Sequence, residues 1–361
     1  MSKNKQFVYL EFLRILACYF VIFNHTENKG FFLFSQYAWG SMRFWIYLFI
    51  SVFCKCAVPL FFCISGALLL GKQNERIKDL WQRRIFKVLS LLILFSFVYY
   101  LGGVLTSDRE FNIKTFFMRL YSSDWNYSFW YLYAYIAFLI GIPFLRAMVS
   151  KLDKNSYYYM ISLVLFFSGI LPVLEYLLWN GEYTMNSNLK LNWLCSNIVI
   201  FPCLGYFLHN NFEIKTLKRI TYLWVVNIFS IILSCYMTYR KVMITGECSE
   251  NTSQTFHNSF VLINCCAIYI SAKWLFEKYN ISEWIIKLIN SLGSCTLGIY
   301  LLHVFLLNKV TIFSEVLWTI LCNKYYMNPM ISELIVCFGI MMSGYILTLL
   351  LKKVPIIKLL I

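Results

Sequence analysis

Apolar runs of roughly twenty residues, separated by short polar stretches, recur from one end of the chain to the other. A helix of that length crosses about 30 Å of hydrocarbon. Ten such windows are predicted, at 7–26, 50–70, 86–106, 128–148, 157–178, 193–209, 220–239, 258–276, 292–312 and 332–351. The start of the second is the least defined and reaches back to Phe44 on one reading, and the sixth is short. No Pro/Gly/Ser-rich linker, soluble domain or short repeat interrupts the pattern. The expectation is an all-α, polytopic membrane protein of about ten transmembrane helices, with one membrane domain over residues 1–361.

Composition agrees: 60% of the 361 residues are hydrophobic, 19% aromatic and only 14% charged, which excludes an ordinary soluble globule. The net charge of +15 raises the question of a nucleic-acid partner, and its distribution answers it. With the N-terminus taken as cytoplasmic, twenty Lys and Arg fall in inner segments and ten in outer ones, while Arg14 and Lys55 lie within spans. That bias is the positive-inside pattern, so no nucleic acid is expected and both termini are expected in the cytoplasm. The start MSKNKQFVYL has the basic-then-apolar look of a signal peptide, but Glu11 and Arg14 interrupt the run and no small-residue cleavage site follows, so it is read as the first span.

Chemistry enters with the polar residues that the apolar runs tolerate. Arg14 and His25 lie in the first window with ten residues between them. Eleven helical steps rotate by about 1100° and rise about 16.5 Å, so the two side chains share one face at different depths. Ionisable groups at such depths usually face a protein interior or a wet cavity, which marks the pair as functional. The structural alternative is that Arg14 snorkels to the cytoplasmic surface beside Glu11 and His25 sits in the outer headgroup layer. The thirteen cysteines show no CxxC or Cys/His metal spacing and read as small apolar packing residues, so no metal site is expected. A phosphate-binding GxxxxGK[ST] loop is absent from the sequence, leaving ATP-driven transport without a motif. The outer loops carry Trp39, Trp125, Tyr127, Trp179 and Tyr183, rings that fit an interfacial belt or a platform for stacking sugars.

Several blocks together resemble acyltransferase family 3, bacterial multispanning enzymes that O-acylate cell-surface glycans. They are the Arg14-x10-His25 spacing within LEFLRILACYFVIFNHT, VPLFFCISGALL at 58–69, RRIFKVL at 83–89, WYLYAYIAFLIGIPFLR at 130–146, FPCLGYFL at 201–208 and LGSCTLGIYLLH at 292–303. The blocks follow the family's order over about residues 9–305. Two departures stand out: Glu11 occupies a position where the family more often has Asp, and Lys55 and Lys87 positions where related members commonly carry Arg. An ammonium keeps the charge but loses the planar fork that suits phosphate.

The resemblance implies an O-acyltransferase, an O-acetyltransferase in the first place, of the bacterial plasma membrane. Its donor would be acyl-CoA, acetyl-CoA in particular, as a substrate rather than a resident cofactor, and its acceptor a surface polysaccharide or a lipid-linked precursor. Membrane lipids are the remaining expected partner. In this reading His25, towards the outer end of the first span, is the general base that takes a proton from the attacking hydroxyl. Arg83, Arg84 and Lys87 are the candidate contacts for the donor's phosphates on the inner side, with plain positive-inside topology as the alternative. Arg14, braced by Glu11, steadies the donor between them. Lys55 would stabilise an oxyanion or bind an anionic part of the acceptor, and otherwise snorkels outwards. Ser65 beside Gly66 would contact donor or merely serve helix packing. His303 would orient substrate or assist proton transfer, and Trp130 and Tyr300 would line the cavity. Succinyl transfer, a peptidoglycan or small-molecule acceptor, and a glycan or lipid transporter stay open as alternatives.

Overall fold

The computed structural model describes residues 7–106, 110–213, 216–250, 254–310 and 312–360. Helices follow one another and, among the described residues, no strand interrupts them. The charges at Lys3, Lys5, Arg109 and Lys215 lie outside the described residues.

Every predicted window is met by helix, but with lengths and ends of its own. Helix α1 is Val8–Asn24. It ends where Thr26 turns its hydroxyl back onto the Phe23 carbonyl at 2.7 Å, satisfying one of the carbonyls that a helix C-terminus leaves open. The second window begins earlier than expected because Ser41 caps α2 (Met42–Cys54), its hydroxyl accepting from the Phe44 amide. Helix α3 (Ala57–Leu69) continues the span after a break at Lys55 and Cys56. The later helices are α4 (Ile77–Leu105), a short α5 (Ile113–Ser122) within the loop expected at 107–127, α6 (Trp130–Val149) and α7 (Lys154–Trp179). They are followed by α8 (Ile200–Asn210), α9 (Leu217–Thr245), α10 (Val261–Lys278), α11 (Glu283–Gly293), α12 (Thr296–Lys309) and α13 (Pro329–Leu351).

The expected count of ten spans is corrected. Among the described residues six helices are long and apolar enough to cross a membrane, and seven if α11 and α12, bent by 59° at their junction, form one broken span. The other three windows hold helices that fall short for local reasons. Helix α1 has 17 residues and carries Glu11 and Arg14, α8 has 11, and α10 contains Asn264, Lys273, Glu277 and Lys278. These shorter or charge-bearing helices are instead shielded by protein. Leu10, Leu13, Ala17, Cys18 and Phe23 of α1 are fully buried, as are Cys203 and Leu204 of α8 and Cys265, Ala267 and Tyr269 of α10. The protein is therefore a multi-pass helical membrane protein in which the short α1 and α8 and the charge-bearing α10 pack together with α3 at the centre.

Two features fix that centre. Helices α3 and α8 touch backbone to backbone: a Cβ on Gly66 would overlap the Pro202 carbonyl, and one on Gly205 the Cys63 carbonyl. Only glycine allows that approach, and where no hydrophobic effect pulls helices together it is the approach that supplies contact. The second feature is the break after α2, where carbonyls lose their helical partners. Asn24 of α1 donates to the Cys54 carbonyl at 3.2 Å and Asn264 of α10 to the Phe53 carbonyl at 2.7 Å. A span interrupted within protein is tolerated because neighbours satisfy the freed groups in this way.

Candidate functional site

The end of α1, the break at Lys55 and the loop before α10 enclose a cavity of about 920 Å³. Its volume falls in the range of small-molecule sites. Its wall mixes amides, from Asn24, Asn28, Asn197 and Asn258, with the rings of Tyr127 and Trp130. His25 lies on this wall as the residue that closes α1.

Helix α12 brings His303 to it. The two rings stand 5.0 Å apart centre to centre, with His303 Nε2 3.1 Å from His25 Nδ1. Backbone carbonyls fix the tautomers. His303 Nδ1 lies 2.5 Å from the Tyr300 carbonyl and must carry the proton, so its Nε2 is an acceptor. His25 Nδ1 lies 2.8 Å from the Val21 carbonyl and likewise carries the proton, which it shares with His303 Nε2. The lone pair of His25 is thereby assigned to Nε2, the ring nitrogen not engaged by Val21 or His303. An imidazole held by its Nδ1–H with a free Nε2 is the form that can remove a proton from a hydroxyl.

The rest of the wall completes a polar site. Tyr127 packs against His25 with ring centres 5.2 Å apart. Tyr300 is buried and its hydroxyl donates to the Ser128 carbonyl, which leaves its ring edge on the cavity and its oxygen occupied. Lys55 reaches the cavity from the helix break, donating to Gln254 Oε1 at 2.7 Å while its ammonium lies 5.1 Å from the centre of the Phe31 ring.

The comparisons with known proteins bear on what such a cavity does. A family model described as an acyltransferase domain matches residues 7–355, nearly the whole chain. The chain belongs to this acyltransferase family. No curated protein and no solved structure matches it. The membrane acyltransferase identified in this way carries Arg14 within α1 and His25 as the residue that caps the C-terminal end of that helix.

The remaining predicted site residues of the acyltransferase are placed less simply. Arg14 does not line the cavity; it pairs with Glu11 at 2.6 Å, and Glu11 in turn is seated on Gly293, where any side chain would collide with it. Ser65 also lies off the cavity, its hydroxyl donating to the Phe61 carbonyl at 2.8 Å within its own helix. Arg83, Arg84 and Lys87 open α4, beyond the far end of α3. The 13 residues of α3 separate them from Lys55 by about 20 Å. Their backbone at Trp81–Ile85 is a π-helical turn, a wide turn frequent at functional sites. Arg83 is exposed and 3.5 Å from Asp79, whereas Arg84 donates two hydrogen bonds to Glu75 Oε1 at 2.8 and 2.9 Å.

Glu75 is shared. Buried Arg146 of α6 donates to its other oxygen at 2.6 Å and to the Leu69 carbonyl at 3.1 Å, tying the α3–α4 turn to α6. Partial burial works against the charge on Glu75, but the hydrogen bonds from Arg84 and Arg146 outweigh it and hold its carboxyl below the usual value.

Sequence reasoning missed Arg146, Glu75, Gln254 and the amide-rich wall. Arg146 looked like one more basic residue at a helix end, and only the fold shows it buried. The polar and aromatic outer loops were the available signal for the cavity, and Tyr127 was among the rings read as an interfacial belt.

Proposed function

We propose that the acyltransferase is an O-acetyltransferase that moves the acetyl group of acetyl-CoA to a hydroxyl of a cell-surface polysaccharide or its lipid-linked precursor. The observation that carries this reading is the His25–His303 pair, which leaves His25 Nε2 as the basic nitrogen beside a roomy cavity rich in amides and rings. Amides and aromatic faces suit a polyhydroxylated acceptor. The positive-inside bias supports a cytoplasmic face for Arg83, Arg84 and Lys87, where the charged nucleotide of the donor is available. The pantetheine then runs past Arg14 and brings the thioester to His25 from below.

In the reaction the acceptor hydroxyl gives its proton to His25 Nε2 as its oxygen attacks the thioester carbonyl. The C–O bond forms, the C–S bond breaks, and the thiolate of CoA leaves with the proton carried by His25. His303 Nε2, hydrogen-bonded to His25 Nδ1–H, steadies the imidazolium that forms in between.

The test uses membranes supplied with radiolabelled acetyl-CoA and a glycan acceptor. Replacement His25→Ala lowers label transfer by roughly 10²- to 10⁴-fold, the usual worth of a general base. Undiminished transfer by that variant refutes the role of His25, and failure of glycan export with transfer intact points to a transporter. Arg14→Lys raises the KM for acetyl-CoA more than that for the acceptor; an equal rise in both defeats the donor-side assignment.

A further inference from the structure

Apart from His25, three ionisable side chains of charged type line the cavity among the described residues: Glu27, Lys55 and Glu250. Two of them are linked. Lys55 donates to Gln254 Oε1 at 2.7 Å, and Gln254 Nε2 donates to Glu250 Oε1 at 3.1 Å, so the amide relays the lysine's charge to the carboxylate. Glu27 stands apart, its carboxylate without an ion-pair or hydrogen-bond partner among the described residues.

The backbone shows that Glu27 is placed there at a cost. Its φ of +48° lies in the left-handed region, which a residue with a long side chain seldom adopts. Such a conformation persists only where the surroundings over-determine it, and it concentrates at functional sites. Here they do so. The Glu27 carbonyl accepts from the amides of Phe32 at 2.8 Å and Gly30 at 3.3 Å. Thr26 clamps the same turn, donating to the Phe23 carbonyl and accepting from the Phe31 amide at 3.0 Å. Gly30 is wedged against Thr26 and against Glu333 of α13, so the turn cannot relax outwards. The consequence is a fixed backbone at Glu27, two residues beyond His25, which sets its exposed side chain on the cavity wall. Tyr127, whose ring packs on His25, feels it: burial raises the pKa of the phenol, and Glu27 pushes in the same direction against a hydrogen bond from Asn308.

We propose that Glu27 is a specificity-determining residue that accepts hydrogen bonds from hydroxyl or amine groups of the acceptor and repels carboxylates, so that the acceptor sugar is neutral or amine-bearing rather than acidic. The proposal rests on the reading that the cavity receives a glycan. It also reverses the expectation that Lys55 would bind an anionic part of the acceptor, since that ammonium already donates to Gln254, which in turn donates to Glu250.

Two measurements test it. In cells producing the protein, mass spectrometry of the released surface glycans identifies the sugar that carries the acyl group; a uronic or other acidic sugar overturns the proposal. In the second, the full-length His25→Ala protein in nanodiscs, which holds acceptor without turning it over, is titrated with N-acetylglucosamine and with glucuronate by saturation-transfer NMR. The neutral sugar binds about tenfold more tightly than the acid, a Glu27→Gln change brings the two within about twofold, and Glu27→Lys inverts the order. Binding of neither sugar, or the same preference in all three proteins, sinks the proposal. If the charge preference is found while no acyl transfer is detected to any glycan, the enzymatic reading fails and the specificity of the cavity stands.

Discussion

His25 is made useful by a residue 278 positions away in the chain. The Tyr300 carbonyl sets the tautomer of His303, His303 and the Val21 carbonyl set that of His25, and the free Nε2 follows. The two imidazoles therefore act as a unit, and their substitutions should not add. We expect His303→Ala to lower the rate of acyl transfer less than His25→Ala does, and the double variant to be no slower than His25→Ala alone, measured as kcat with labelled acetyl-CoA. Additive losses would mean that His303 works on substrate directly rather than through His25. Of the charged residues picked out in the sequence, Lys55 was legible as a cavity residue because it interrupts an apolar run. Ser65, read as a donor contact or as a helix-packing residue, has its hydroxyl bonded one turn back in its own helix, which any mid-helix serine can do.

At the scale of elements, the sequence periods determine where helices run and leave their breaks and contacts unspecified. Serine at 41 and the Thr26 turn are local signals that define ends. The interruption at Lys55 is announced by Pro59, which has no amide to donate to the Lys55 carbonyl four residues back and whose ring crowds it. What the sequence does not announce is that Asn24 and Asn264, from helices distant in the chain, take up the neighbouring carbonyls at this break. Asn264→Leu should therefore destabilise the protein and disturb the cavity wall together, seen as a lower Tm and a raised KM for the acceptor. The α3–α8 crossing yields a sharper test. Gly66→Ala and Gly205→Ala place a methyl against backbone carbonyls that no rotamer change can move, so each should cost about 1–3 kcal/mol, read as a lower unfolding temperature in detergent. Gly102→Ala, where a Cβ meets nothing within 4 Å, is the control and should leave Tm unchanged or slightly higher.

At the scale of the molecule, Glu75 joins the α3–α4 turn to α6 through Arg84 and Arg146. Its carboxyl is held below the ordinary value of 4.5, so the clamp contributes stability above that pH and loses it as pH falls through the lower folded-state value. Thermal unfolding should show wild-type stability declining below about pH 4.5 more steeply than that of Glu75→Gln, which should be the weaker protein at pH 7 by roughly 3 kcal/mol because buried Arg146 loses its counter-charge. The orientation inferred from basic residues has its own check. A cysteine at exposed Asn74, in a protein whose half-buried Cys195, Cys248, Cys266 and Cys322 are serine, should react with an impermeant reagent only from the cytoplasmic side.

By itself the sequence determined the helical membrane class, the placement of apolar runs and the family. All of these depend on contacts within a few helical turns, or on hydrophobicity summed along a window, and both are written locally. The tertiary structure decided which helices sink into the centre and where each helix begins and ends, and among the described residues six or seven helical segments are long and apolar enough to cross a membrane where ten spans were expected. It also decided that His303 meets His25, that Arg146 is buried against Glu75, and that Glu27 faces the cavity from a left-handed turn. Each of those depends on packing between segments far apart in the chain, where depth, rotation and close approach are set by the partner helix and leave no periodic trace in either sequence segment.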